Sequence, residues 1–184
     1  MGSLRPISIA MCAVLSGCLL LLPQSVDAQP SYADHQIKAV FLYHFTRFIN
    51  WPETAFPSAD SPFNICTTGS DQLSEVLTSA ILGEVVAGHP LQVISQVGSD
   101  QVSTCHILYI PAGYDSQLLW TIKNSGVATI LTVSDDEKFI NQGGIIKLES
   151  ARGRVRPVIN TTALDRAELK ASAKLLQLAT LVSE

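Results

Sequence analysis

Basic residues are scarce in this chain of 184: twelve Lys and Arg stand against sixteen Asp and Glu, for a net charge of −4. Nucleic-acid binding rests on clustered cations against phosphate, so a mildly acidic domain is a poor nucleic-acid binder. The same balance excludes a polybasic membrane-surface protein. Catalytic signatures are missing too. There is no Gly-x-Ser-x-Gly elbow, and Ser, His and Asp are scattered without a local pattern. His35, His44, His89 and His106 stand apart. Cys105 and His106 are adjacent, but neighbours on a strand point to opposite faces and do not converge on one ion. "TTGSDQL" (Thr67 to Leu73) is a strand–turn–helix with one glycine. It lacks the P-loop lysine and the glycine repeat of a dinucleotide fingerprint, and reads as a simple turn. No metal site and no cofactor are expected. The residues favour a binding or regulatory role over an enzyme.

No apolar run reaches membrane-spanning length. Ile7 to Leu22 covers 16 residues, short of the roughly 20 a helical span needs. Arg5 precedes that run, Pro23 and Gln24 follow it, and "VDA" occupies Val26 to Ala28. This is the pattern of a secretory signal cleaved after Ala28. "LSGC" (Leu15 to Cys18) also fits a lipobox, whose Cys18 would carry lipid. The continuing "LLLL" favours cleavage after Ala28. Residues 1–28 are thus read as a signal peptide and 29–184 as one exported domain. Losing Arg5 and Asp27 with the signal leaves the net charge at −4. The remaining 156 residues suffice for a core without staples.

Cysteine is almost absent from that domain. Cys66 and Cys105 remain, in the predicted strands "FNICTTG" and "TCHILYI". An even count in an exported chain suggests a disulfide; two buried thiols are the alternative.

What is present is an alternation of helical and strand patterns. Ile37, Phe41, Phe45 and Phe48 recur at helical spacing and predict an amphipathic helix ending near Asn50, before Trp51-Pro52. "PETAFPSADSP" reads as a loop. Phe63–Thr67, "HPLQVISQV", "CHILYI" and "VATILTV" read as strands, the last two buried on both faces. "DQLSEVLTSAIL" reads as a helix capped by Asp71, "SQLLWTIKN" and "SDDEKFI" as short helices. "GGIIKLES" and "RVRPVIN" form a hairpin whose second strand, with Pro157, is placed at a sheet edge. A long last helix is predicted from Thr161 or Thr162, its apolar stripe running from Leu164 to Val182. The fold class is α/β: a single three-layer domain with a largely parallel sheet flanked by helices, a C-terminal hairpin and a long helix.

Two charged stretches draw notice. Asp135, Asp136 and Glu137 read as a solvated run complementing a helix dipole. Arg152, Arg154 and Arg156 gather on the hairpin, where guanidiniums suit an acidic partner surface, or simply guard an edge strand. Phe56 joins them as a candidate partner contact, while Trp51 and Trp120 are read as core packing. A small-molecule site is expected, if there is one, at the C-terminal ends of the parallel strands, near Thr67–Asp71 or Pro111–Asp115.

Taken in order, "IKAVFLYHFTRFINWPETAF", "FNICTTG", "GEVVAGHPLQV", "CHILYI", "TILTVSDDEKFINQGGIIKL" and "RVRPVINTTALDRAELKASAKLLQLATLV" resemble the YfiR family from about Ile37 to Val182. The resemblance implies a periplasmic regulatory protein. The best-known members bind the periplasmic sensor region of an inner-membrane diguanylate cyclase and repress it, modulating cyclic-di-GMP. An outer-membrane lipoprotein can sequester the repressor. Members can be homodimers, and family domains also occur beside other sensors, including histidine kinases. On that footing the alternative role is a small-molecule-sensing module of such a sensor. Cys66 and Cys105 match family cysteine positions. A second pair found in some members is absent, with Ile140, Ile145 and Lys147 thereabouts, so redox control resting on that pair is in doubt here.

Overall fold

The computed structural model describes residue 2 and residues 32–69, 71–114, 116–124, 129–151 and 154–183. Apart from residue 2, the expected signal peptide of residues 1–28, Cys18 included, falls outside them, as does Arg152. The elements run α1 (Tyr32–Phe48), β1 (Ile49–Asn50), β2 (Phe63–Thr67), α2 (Asp71–Ala80), β3 (Val85–Val86), β4 (His89–Ile94), β5 (Ile107–Ile110) and α3 (Ser116–Asn124). Then follow β6 (Leu131–Ser134), β7 (Ile146–Ala151), β8 (Arg154–Asn160), α4 (Thr161–Arg166), β9 (Lys170–Ala171), α5 (Ala173–Leu178) and β10 (Thr180–Val182).

Eight strands form one sheet in the order β10-β8-β7-β6-β5-β2-β4-β3. The run β4-β2-β5-β6-β7 is parallel throughout. The chain leaves β2 toward β4 on one side, then returns to lay β5 on the other. That reversal is the topological switch point of a doubly wound sheet. The antiparallel β3–β4 ribbon finishes one side, and on the other the antiparallel β7–β8 hairpin is followed by β10, parallel to β8.

The alternation of side chains divides the core into two layers. Ile65, Ile107, Tyr109, Leu131, Val133, Ile146 and Leu148 meet α1, α2, α4 and α5 on one face. Cys66, Leu108 and Ile110 meet α3 and the Val97–Cys105 segment on the other. Burying a Leu or Phe fully contributes about 2–3 kcal/mol, so Leu42, Phe45, Phe63 and Leu77, all nearly inaccessible, dominate the first layer. The deepest face of α1 runs through His35, Lys38, Ala39, Leu42 and Phe45 and continues into Ile49 of β1. Phe41 and Phe48 of the aromatic stripe lie half-buried on its flank. Among the described residues no helix is long and apolar enough to cross a membrane.

Several local expectations need correction. "SDDEKFI" is a series of turns, not a helix. Ser134 Oγ accepts from the Asp136 amide and Asp136 Oδ1 from the Lys138 amide, which spends the early donors on side chains. The α2 helix takes in Asp71 instead of being capped by it. The long C-terminal helix is broken into α4, β9, α5 and β10. Glu168 lies in the left-handed region (φ 58°), and the Leu169 amide donates back to Leu164, ending α4. β9 then pairs antiparallel with β1, and Ser172 caps α5 through the Leu175 amide. β10 covers β8 from Val158 onward, so Pro157 does not mark the outermost strand. Only the Arg154–Pro157 half of β8 stays unpaired on that side, as far as the described strands go.

The β3 strand was invisible in the sequence. A two-residue turn, Ala87 (φ 53°) and Gly88 (φ 92°), joins it to β4, and both residues adopt the positive φ of a type I′ hairpin turn. Ala-Gly is a weak signal beside Asn-Gly.

Candidate interaction site

At the switch point the ends of β2 and β5 are knitted together. The Thr68 amide donates to the Tyr109 carbonyl, and Gly69 lies against Pro111. Beneath this lip the chain supplies its own charges. Lys38 Nζ reaches Asp34 and Asp135, each at 2.6 Å, with only 4% of its side chain exposed. Asp135 Oδ1 accepts from the Ala112 amide at 2.7 Å, and the Tyr109 hydroxyl also hydrogen-bonds Asp135. Burial alone would push Lys38 down, but the hydrogen bonds and charges of Asp135 and Asp34 outweigh it and hold the ammonium above its ordinary range. Burial works on Asp135 in the opposite sense, and Lys38 with the Ala112 amide still holds it below the usual carboxylate range. Tyr109 is pushed far up, by burial and then by Asp135. The cluster is a structural lock between α1 and the β6 end.

This overturns the solvated-run reading for Asp135, while Glu137 stays largely exposed. Asp135 is in the lock, Asp136 caps a turn, and Glu137 pairs with Lys147 at 3.1 Å, as does Glu149 at 3.2 Å. Lys38 was the available signal: a lysine on an apolar helix face needs a buried partner. Of the expected small-molecule region, Ser70 and Asp115 lie outside the described residues.

The arginines stand elsewhere. Arg154 and Arg156 are exposed on one face of β8, opposite Ala151 and Glu149 in register, and among the described residues neither forms an ion pair. Glu149, the cross-strand neighbour of Arg156, is turned to Lys147. Two unpaired guanidiniums therefore project from the unpaired half of β8.

Phe56 is half-buried and engaged within the molecule. Its ring stacks on His89 (centroids 3.8 Å apart) and on His106 (4.5 Å). Trp51 packs edge-on to Phe63 and donates Nε1–H to the Thr129 carbonyl. Both line an open groove of about 580 Å³ with Ile49, Val85 and Val86. Trp120, read as core, is 64% exposed on α3. Leu118, Leu119 and Ile122 form the buried face of that helix, which leaves position 120 on the outside.

Cys66 and Cys105 are joined by a disulfide, Cα atoms 5.8 Å apart, on the α3 side of the sheet. It ties β2 to the segment entering β5, while the next residue, His106, points to the opposite face. Among the described residues no group of His, Cys, Asp and Glu is placed to hold a metal.

A protein-family model described as YfiR/HmsC-like matches residues 35–180. No curated protein matches the chain.

Proposed function

The chain belongs to the YfiR/HmsC-like family, and from that membership we propose that it is a periplasmic regulatory protein that represses a membrane-bound diguanylate cyclase by binding its periplasmic sensor region. The family is one of periplasmic regulators of diguanylate cyclases, not of catalysts. The match over nearly the whole domain is the observation that carries the reading. The exposed, unpaired Arg154 and Arg156 supply a surface suited to an acidic partner. In this reading the mechanism is binding and population shift: the repressor favours the inactive state of the cyclase by its differential affinity for it. An outer-membrane lipoprotein that competes for the repressor, and a homodimeric repressor, complete the proposal.

The test is deletion of the gene in its host, with intracellular cyclic-di-GMP as the readout and plasmid-borne wild type as control. A rise reversed by complementation is expected. An unchanged level moves the role to another membrane sensor. The small-molecule reading is the weaker one, because the charges found at the switch point are already paired with one another, Lys38 with Asp34 and Asp135.

A further inference from the structure

The loop between β1 and β2 is thinly attached. None of residues 52–62 is buried. Its backbone bonds are internal: Ala55 to Pro52, Phe56 to Glu53, Ser61 to Ser58. Among the described residues, its polar contacts with the rest of the chain run to two imidazoles. His106 Nε2 meets the Ala55 carbonyl at 3.2 Å, and His89 Nδ1 meets the Ser61 carbonyl at 2.7 Å. The one large side chain of the loop, Phe56, lies between the same two rings.

The bonding fixes the protonation of His106. Its Nδ1 accepts from the Asn64 amide at 3.0 Å, so that nitrogen carries no proton, and Nε2–H donates to Ala55. A proton on Nδ1 would set two donors against each other. It would also place a cation in a buried stack of Phe56, Phe63 and His89. From β2 the ring faces Phe63 and Asn64, from the loop Ala55 and Phe56, and from β4 His89. His89 is the one titratable group among these, and it repels the charge. Glu53 and Asp60, the carboxylates of the loop, are exposed and bond to neither ring among the described residues.

We propose that residues 52–62 form an acid-released flap, held shut by the contacts of neutral His106 and by those of His89, and opened when His106 takes up a proton. Burial, with His89 adding to it and the Ala55 carbonyl opposing, holds His106 down at about 4 in the shut state. Opening withdraws Phe56 from the stack. It also remodels the groove that Phe56 lines and an adjoining cavity of about 270 Å³, bordered by Ala55, Pro57, Asn64, Thr104 and His106. Use of the flap as an input to signalling rests on the regulatory reading above; the flap itself does not.

The experiment is amide exchange by NMR on the purified protein, corrected for the intrinsic pH dependence. With an open-state value near 6.5 and a shut-state value of about 4, opening rises about twentyfold from pH 7 to pH 5. The Asn64 and loop amides should report that rise at protection far below that of the β6 amides, which marks local opening and not unfolding. In His106→Gln the rise should vanish. A flat wild-type profile overturns the flap, as does a rise that persists in His106→Gln or loop protection equal to that of β6. The ring titration of His106 in the wild type decides the matter should that variant not fold: a midpoint at or above 6.5 overturns the inference. None of these outcomes depends on cyclic-di-GMP, so the flap and the regulatory role fail separately.

Discussion

Lys38 Nζ lies 2.6 Å from Asp135 Oδ2, across 97 residues of sequence. Removing one partner of a buried pair strands the other, which costs about 3–5 kcal/mol. Asp135 keeps some exposure, so Lys38→Met is expected to cost about 3 kcal/mol, read from urea unfolding. Lys38→Met with Asp135→Asn should recover most of that loss. A double variant no better than the single would show that packing, not charge, holds α1 down.

The pH dependence of this pair has a definite sign. Asp135 is held below its ordinary 3.8, so its share of stability is present above that value and lost as pH falls through the lower, folded one. Lys38 is held above 10.5, so its share is present below that value and lost as pH rises beyond it. The stability difference between wild type and Lys38→Met/Asp135→Asn should therefore be flat from about pH 4 to pH 10 and change outside that window. A slope near neutrality would contradict the lock.

The disulfide closes a segment whose ends are 39 residues apart. Loop-closure entropy for that length gives about 4 kcal/mol of stabilisation. Cys66→Ala/Cys105→Ala should lower the denaturant midpoint accordingly, and dithiothreitol should move wild type to the same midpoint. An unchanged midpoint would mean that the packing of β2 on β5 suffices without the bond.

Gly144 has no room for a side chain. A Cβ there would lie 2.2 to 2.6 Å from ring atoms of Phe139. Phe139 is buried against the α3 layer and the turn holds it in place through the Gly144 amide, which donates to the Phe139 carbonyl. Gly144→Ala is expected to cost about 1–3 kcal/mol by overpacking. Phe139→Leu in the same chain should return part of it, measured by thermal unfolding.

Sequence periodicity was enough where burial alone decides the structure. The parallel strands β2, β5 and β6 are short apolar runs buried in the sheet, and each was legible for that reason. The C-terminal segment was not. Its apolar stripe from Leu164 to Val182 suits a helix, yet β1 and β8 offer unpaired backbone that β9 and β10 satisfy, and tertiary pairing overrides local spacing. The candidate site shows the same division. The count and strand context of Cys66 and Cys105 suggested a disulfide beside the alternative of two buried thiols, and the 5.8 Å Cα separation that decides for the bond is a property of the fold. Asp34 lies one helical turn before Lys38, but its second partner, Asp135, and the partners of Phe56 are set by long-range contacts to which no local pattern in the chain points.

Charge reversal on β8 tests the partner surface without touching the core. Arg154 and Arg156 are exposed and form no ion pair among the described residues, so replacing both by Glu breaks no contact described for the fold. A surface change of this kind is usually within about 0.5 kcal/mol, and the melting temperature should hold. Binding to the purified periplasmic domain of a diguanylate cyclase should weaken, mainly through slower association and a smaller dependence on salt. Trp120→Ala is the comparison: it removes an exposed aromatic from α3, on a different element, and should leave that affinity unchanged. Loss of binding in Trp120→Ala but not in the arginine variant would move the contact surface from the hairpin to α3.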